Sequence, residues 1–257
     1  MKDTTTVVLT AVAGVPLIAA GDDLGAILIE RIRACGLAPR DRDVFVVAQK
    51  IVSKAEGRRV GLDEVVPTPR ALEIAEVVGK DARLVEVILR ESREVVRYRR
   101  GVLVVEHRLG FVMANAGVDQ SNIEHPEGRE CALLLPQDPD RSCEALRAQI
   151  NRAFGADVGV VMNDSFGRPW RNGVTGVAIG AAGLPALVDL VGEPDLFGRA
   201  MRVTQVAMGD EIAAAASLLM GQGAEGLPLV HLRGLNWDAA STGANALLRP
   251  RHEDMFR

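Results

Sequence analysis

Cysteine is scarce in this 257-residue chain, and Cys35, Cys131 and Cys143 lie far apart, form no CxxC pair and are odd in number. That pattern excludes a disulfide framework and a zinc knuckle, and leaves reduced thiols in a cytoplasmic setting as the reading. No apolar run approaches the ~20 residues that a bilayer crossing requires, because Gly, Pro or a charge breaks every candidate. Residues 1–6 carry a single Lys followed at once by Asp, without the basic-then-apolar order of a secretion signal, so neither a membrane nor export is expected. Positive charge is nowhere concentrated beyond Arg97, Arg99 and Arg100, and the formal net charge is −4, so a nucleic-acid surface is not expected either. His107, His125, His231 and His252 lack metal-ligand spacing, and no G-x-S-x-G or Cys–His arrangement points to covalent catalysis. The Walker A pattern G-x-x-x-x-G-K-[ST] is missing too, so any bound nucleotide is held by another device.

What is present describes a folded α/β chain. Hydrophobic residues make up 48% and charged residues 25%, which excludes a disordered or collagen-like polymer, and the length permits one large domain or two lobes. Residues 7–13 read as a strand, and 22–35 as a helix capped by Asp22 or Asp23 and stopped by Gly36. Residues 43–52 form a β-rich run, and 69–78 and 83–91 read as helices. Residues 95–98, 102–106 and 111–114 read as an antiparallel meander. A helix at 142–154 precedes an apolar strand at 157–162, strands at 174–179 and 185–191, an alanine-rich helix at 210–220 and a last strand at 227–232. The tail from Asn236 reads as weakly ordered.

Chemistry is suggested at four places. The polar loop 116–130 contains Asp119, Asn122, His125 and Pro126, and a loop of this length in a compact domain is more often functional than idle. Asp164 and Ser165, directly after an apolar strand, offer hard oxygen ligands for Mg²⁺ or Mn²⁺; the competing reading is a turn cap, and Asp119 is the natural second carboxylate. Gly221-Gln222-Gly223-Ala224-Glu225-Gly226 fits G-x-G-x-x-G but follows a helix and precedes a strand, the reverse of the dinucleotide fingerprint, so it is either a phosphate-holding loop or a plain helix cap. Lys50 and Lys54, at a strand exit, are phosphate partners or surface lysines. Arg168 and Arg171, flanking Trp170, are candidates for gripping a substrate's anionic groups, with a surface salt bridge as the alternative.

Taken together, residues 14–18, 49–57, 116–122 and 163–171, continuing through 192–196 and 210–223, resemble the coenzyme F420-0:L-glutamate ligase family over nearly the whole chain. The resemblance implies an α+β (mixed α/β) fold in two lobes, with mixed and antiparallel sheets and an intertwined homodimer. Lobe boundaries near 1–80 plus 195–257 and 81–194 are expected, without the C-terminal nitroreductase-like domain of the fusion form. It implies a GTP-dependent ligase that phosphorylates the terminal carboxylate of F420-0 and then joins it to L-glutamate as an amide. By this resemblance Asp119 and Asp164 are catalytic, and Asp119, Asp164, Ser165 and Gln222 hold two divalent ions, Mg²⁺ or Mn²⁺, with K⁺ as a further ion. GTP would be held by Val15, Pro16, Leu17, Ile18, Gln49, Lys54, Asn122, Met220, Gly221, Gln222, Gly223, Ala224, Glu225, Gly226 and Leu227. Two positions depart from the family pattern: Asn163 stands where Thr or Ser is common before the Asp, and Gln49 where some relatives have Ser. Two other readings are a ligase of the same chemistry with a different carboxylate or amino acid, and a nucleotide-binding protein that turns nothing over.

Overall fold

The computed structural model describes residues 5–125 and 128–255; Met1, in the leading segment, and Pro126, in the polar loop, lie outside them. In chain order the elements are β1 (Val8–Ala11), α1 (Leu24–Ala34), β2 (Val44–Ala48), α2 (Gln49–Ala55), β3 (Arg59–Gly61), α3 (Pro69–Val78) and α4 (Ala82–Arg90). The meander β4 (Ser92–Arg99), β5 (Val102–His107) and β6 (Val112–Ala114) follows, then β7 (Cys131–Leu133), α5 (Pro139–Phe154), β8 (Gly159–Arg168) and β9 (Arg171–Ala182). The short pair β10 (Val188–Asp189) and β11 (Gln205–Val206), α6 (Met208–Met220) and β12 (Leu229–Arg233) complete the order. Asp23, Thr68, Asp81 and Asp138 each accept a first-turn backbone N–H of α1, α3, α4 and α5, a contribution of about 1 kcal/mol apiece.

A five-stranded mixed sheet in the order β1-β12-β2-β8-β9 forms the body. Only β2 and β8 run parallel; the other three pairings are antiparallel. The continuous apolar run of β2 is explained by burial on both faces. Phe45 and Val47 pack with Leu28 and Ile32 of α1 and Leu146 and Ile150 of α5, whereas Val44 and Val46 pack with Ile212, Ala213 and Ala216 of α6. A second core, built from residues 62–134, joins α3 and α4 to the β4-β5-β6 sheet through Ile74, Val85, Ile88, Leu103 and Val105. The chain is thus mixed α and β with several sheets.

Several element limits differ from the sequence reading for physical reasons. The β-rich run at 43–52 stops at Ala48, because Gln49, Val52 and Ser53, buried at helical spacing, turn the chain into α2. The strand begun at Gly159 does not end at Met162: it pairs with β9 out to Arg168. Of 185–191 only Val188–Asp189 is strand, and β7 was not foreseen because its length gives no alternation to read. The tail is held in place: Asp140 Oδ1 accepts the N–H groups of both Ala181 and Ala244 at 2.8 Å, and Ala244 is fully buried.

Candidate active site

The register Ala48↔Asn163 sets the exit of β2 beside Asn163, beyond which β8 runs on paired with β9 alone. Ligands in open α/β sheets gather at such carboxyl ends. There a cavity of about 960 Å³ opens, lined by the 15–20 segment, the start of α2, residues 119–124, Asn163 to Ser165 and the loop after α6. Asp119 and Asp164, 45 positions apart in the chain, both line it. So do Ser165, Gln222, Val15, Pro16, Leu17, Ile18, Gln49, Lys54, Asn122, Met220, Gly221, Gly223, Ala224, Gly226 and Leu227.

The two carboxylates sit in unlike surroundings. Asp119 Oδ2 is 2.7 Å from Lys50 Nζ, and Oδ1 and Oδ2 accept Ser121 N–H and Oγ–H at 2.9 Å each. Burial works to raise its pKa, but the Lys50 ammonium and the Ser121 donors outweigh it and hold the carboxyl below the ordinary value. Asp164 accepts only the Ser165 N–H, at 2.8 Å, among these bonds. Burial, with the Asp119 charge adding to it, pushes Asp164 up to about 6, against the opposing effects of that N–H and of Lys50.

Lys50 and Lys54, one helical turn apart, tie α2 to the Asp119 loop. Lys50 Nζ also donates to Ser121 O and Oγ, at 3.1 and 2.7 Å, and Lys54 Nζ donates to Asn122 O at 2.8 Å. Burial and the Lys50 charge lower the Lys54 pKa, with Glu124 opposing. Asn122, in the left-handed region at φ +55°, donates from Nδ2 to Gly223 O at 3.2 Å and so fastens this loop to the glycine-rich one. Gln49 is spent on Ser53 Oγ at 2.7 Å and Leu134 O at 3.4 Å.

The glycine-rich loop begins where α6 ends, at Gly221, with φ +72°. That left-handed φ favours glycine by conformation; a Cβ there would also meet the end of the Glu225 side chain, 2.1 Å from its carboxyl carbon, and would have to push it aside. Glu225 lies outside the cavity lining because its carboxylate turns into the loop: the backbone N–H groups of Glu225 and Gly223, and of Gln222, hold it below the ordinary range. The loop is a nest of N–H donors already gathered around an anion.

Among the described residues no group of three His, Cys, Asp or Glu side chains could cage a metal ion. Oxygen-bearing side chains that line the cavity include the Asp119 and Asp164 carboxylates, the Ser165 hydroxyl and the Gln222 amide. All are hard oxygens suited to a cation that takes its remaining ligands from phosphate and water. The charge left on Asp164 without a cation of its own fits the same group.

Arg168 and Arg171 fall elsewhere. β8 carries Arg168 about 13 Å along the strand from Asp164, and both arginines sit at the exposed hairpin tip, where Arg168 Nη2 donates to Asn172 O at 3.4 Å. Trp170, between them, is 84% exposed at φ +57°, so it is neither core nor a wall of this cavity. Among the lining residues that went unassigned in the sequence are three with polar side chains, Ser121, Glu124 and Arg59. The Asp-x-Ser spacing at 119–121 is a signal for Ser121; Arg59, in a three-residue strand, carries none.

The F420-0:Gamma-glutamyl ligase family profile matches residues 14–234. The chain is 47% identical to the coenzyme F420:L-glutamate ligase of Methanothermobacter thermautotrophicus over 97% of its own length and 98% of the relative's. Against the protein of the same name from Methanopyrus kandleri it is 46% identical over 92% of each chain. Against that of Methanocaldococcus jannaschii it is 42% identical over 84% of this chain and 85% of the other. With the match spanning both cores and every wall of the cavity, the chain belongs to the F420-0:gamma-glutamyl ligase family of enzymes.

Proposed function

We propose that the chain is a GTP-dependent ligase that forms an amide between L-glutamate and the terminal carboxylate of F420-0. The observation that carries this reading is the meeting, in one cavity, of two remote acidic side chains with a glycine-rich nest of N–H donors. In the proposed sequence an acceptor carboxylate oxygen attacks the γ-phosphorus of GTP; the bond to the GDP oxygen breaks and an acyl phosphate forms. The amino nitrogen of L-glutamate then attacks the acyl carbon. The C–O bond to phosphate breaks, inorganic phosphate leaves, and the surplus protons of the ammonium pass to phosphate and solvent.

In this reading the loop 221–226 receives phosphate oxygens on its backbone N–H groups, displacing the Glu225 carboxylate that now fills the nest. Lys50 and Lys54 supply point charges beside it. Asp119, Asp164, Ser165 and Gln222 would hold the divalent ions, which when bound offset the repulsion between phosphate and the attacking carboxylate. Val15 to Ile18, Asn122 and Met220 bound the nucleotide's share of the cavity. In this reading the enzyme works in the cytoplasm, in keeping with three free cysteines; among the described residues no helix is long and apolar enough to cross a membrane.

We also infer pairing with a second copy. Trp170, Val174, Val191, Leu196, Phe197 and Val203 expose apolar side chains on the β8–β9 hairpin and the excursion around β10 and β11, a concentration that a monomer rarely leaves in water. Sedimentation equilibrium should give twice the chain mass.

The deciding assay mixes protein, GTP, Mn²⁺, L-glutamate and F420-0, and follows product mass and GDP release. Product one glutamate heavier, with stoichiometric GDP, is expected. GDP release without acyl transfer, or equal rates with ATP, would refute the reading.

A further inference from the structure

We propose that Arg59 is the anchor for a carboxylate of the incoming amino acid, an inference that rests on the ligase reading above. Three basic side chains line the cavity, and two are already engaged: Lys50 with Asp119 and Ser121, Lys54 with Asn122. Arg59 makes no hydrogen bond or ion pair through its side chain with any described residue, although it faces a site that also contains Asp119, Glu124 and Asp164. An unpaired guanidinium at a cavity wall is a fork awaiting a planar oxyanion, and its geometry matches a carboxylate.

Register fixes where that fork points. Leu133 pairs with Arg59 across β3–β7 and bridges to Asp119 on its other side. Residues directly opposite in antiparallel pairs share a face, so Arg59, Leu133 and Asp119 stand in one row toward the cavity, and all three line it. Leu133 exchanges both its backbone bonds with Asp119, which makes that the hydrogen-bonded pair and the Arg59 pair the closer one. The Cα atoms of Arg59 and Asp119 are therefore on the order of 10 Å apart.

That spacing selects among the substrates. Phosphoryl groups belong beside the glycine-rich loop, which Asn122 touches at Gly223, three residues beyond Asp119. Arg59 stands across Leu133 from Asp119, whereas the bond to the glycine-rich loop is made from Asn122, and we assign the phosphates to that loop and the amino acid's carboxylate to Arg59. An amino acid whose nitrogen reaches the acyl carbon near Asp119 directs its carboxylates away from the phosphates. An extended glutamate together with the arginine stem spans the remaining gap. The same fork could instead meet an oxyanion of the acceptor, and the experiment separates the two.

Steady-state kinetics of the full chain with GTP and Mn²⁺, varying L-glutamate and then F420-0, tests the assignment with Arg59→Gln and Arg59→Lys. Arg59 is exposed and its side chain unpartnered, so the thermal midpoints should match wild type. The expected result is a KM for L-glutamate raised about tenfold in Arg59→Gln, with the KM values for F420-0 and GTP unchanged and partial recovery in Arg59→Lys. Calorimetric titration of L-glutamate into protein preloaded with a non-hydrolysable GTP analogue and Mn²⁺ should weaken in parallel. A rise confined to the KM for F420-0 overturns the amino-acid assignment and gives Arg59 to the acceptor; unchanged constants overturn any anchoring role. Wild-type protein that forms no product defeats the ligase reading itself, and this inference with it, whereas an active wild type beside an indifferent Arg59→Gln defeats only the inference.

Discussion

Two acidic networks, one at the start of β2 and one on β8 beside the exit of β2, behave in opposite ways. At the start of β2, Asp43 is enclosed by partners: His231 Nε2 lies 2.8 Å from Oδ2, Arg233 donates to both oxygens at 2.8 and 2.5 Å, and the Arg40 N–H adds a fourth contact at 2.9 Å. Burial tends to raise the Asp43 pKa, yet Arg233, His231 and the Arg40 N–H together hold it below the ordinary value. On β8, Asp164 has one backbone donor and a neighbouring negative charge, and sits near 6. The same contrast recurs at Glu91, where Arg58, Arg108 and His107 converge on one buried carboxylate and burial is again outweighed. A carboxylate with its cations supplied holds the fold together. One left short of cations leaves room for a ligand's charge.

The comparison breaks most visibly at Asp164. Asp164→Asn should lower turnover by roughly 10³-fold while leaving the fold intact; full activity in that variant would end the role assigned to it. The same variant should be more stable at neutral pH. Because the folded pKa is raised, the folded state binds the extra proton, so the cost of the charge accrues as pH rises from 3.8 through about 6 and is complete above it. Removing it should gain on the order of 3 kcal/mol at pH 7 and nothing well below pH 4, read from urea unfolding at the two pH values.

At Asp43 the signs reverse. Asp43→Ala should cost about 3–5 kcal/mol by stranding Arg233 and His231, with kcat per folded molecule preserved. With its folded pKa lowered, the Asp43 contribution is present above the unfolded value and is lost as pH falls through the folded one. Acid unfolding should therefore weaken this network while relieving Asp164. An Asp43→Ala protein as stable as wild type would remove the contrast.

A smaller effect is expected at the loop beside Asp119. Asn122→Ala removes the bond to Gly223 O and leaves a residue with a Cβ at φ +55° without its local polar partner. Stability should fall by about 1 kcal/mol, and the KM for GTP should rise several-fold in the coupled assay; an unchanged KM would detach this loop from the nucleotide. Smallest of all, Arg168→Ala should alter kcat/KM by less than about threefold, since the hairpin tip lies outside the cavity.

Much of the fold was legible because it depends on local pattern. The helices announced themselves through apolar spacing, and α1 also through Asp23 placed to cap it, while the caps Thr68, Asp81 and Asp138 emerged only in the structure; the meander showed through its turn residues at Gly101 and Gly110. The glycine-rich loop was readable as something other than a dinucleotide fingerprint because order along the chain is itself a sequence property. Harder to read was the transition at Gln49, where an apolar β-branched stretch continues while the backbone changes to helix. The reach of β8 past Asp164 was equally hidden, since Asn, Asp, Ser, Gly and Arg look like a loop until β9 pairs with them.

Composition, periodicity and motif order determined by themselves that this chain folds as mixed α and β, carries polar loops at strand exits and places acidic residues in them. Only the tertiary structure decided that Asp119 and Asp164 share a cavity, that Lys50 is committed to one and not the other, and that Arg59, not Arg168 or Arg171, faces inward. Local pattern acts over a few residues, whereas charge balance depends on strand register and burial, which bring together side chains that the sequence keeps far apart.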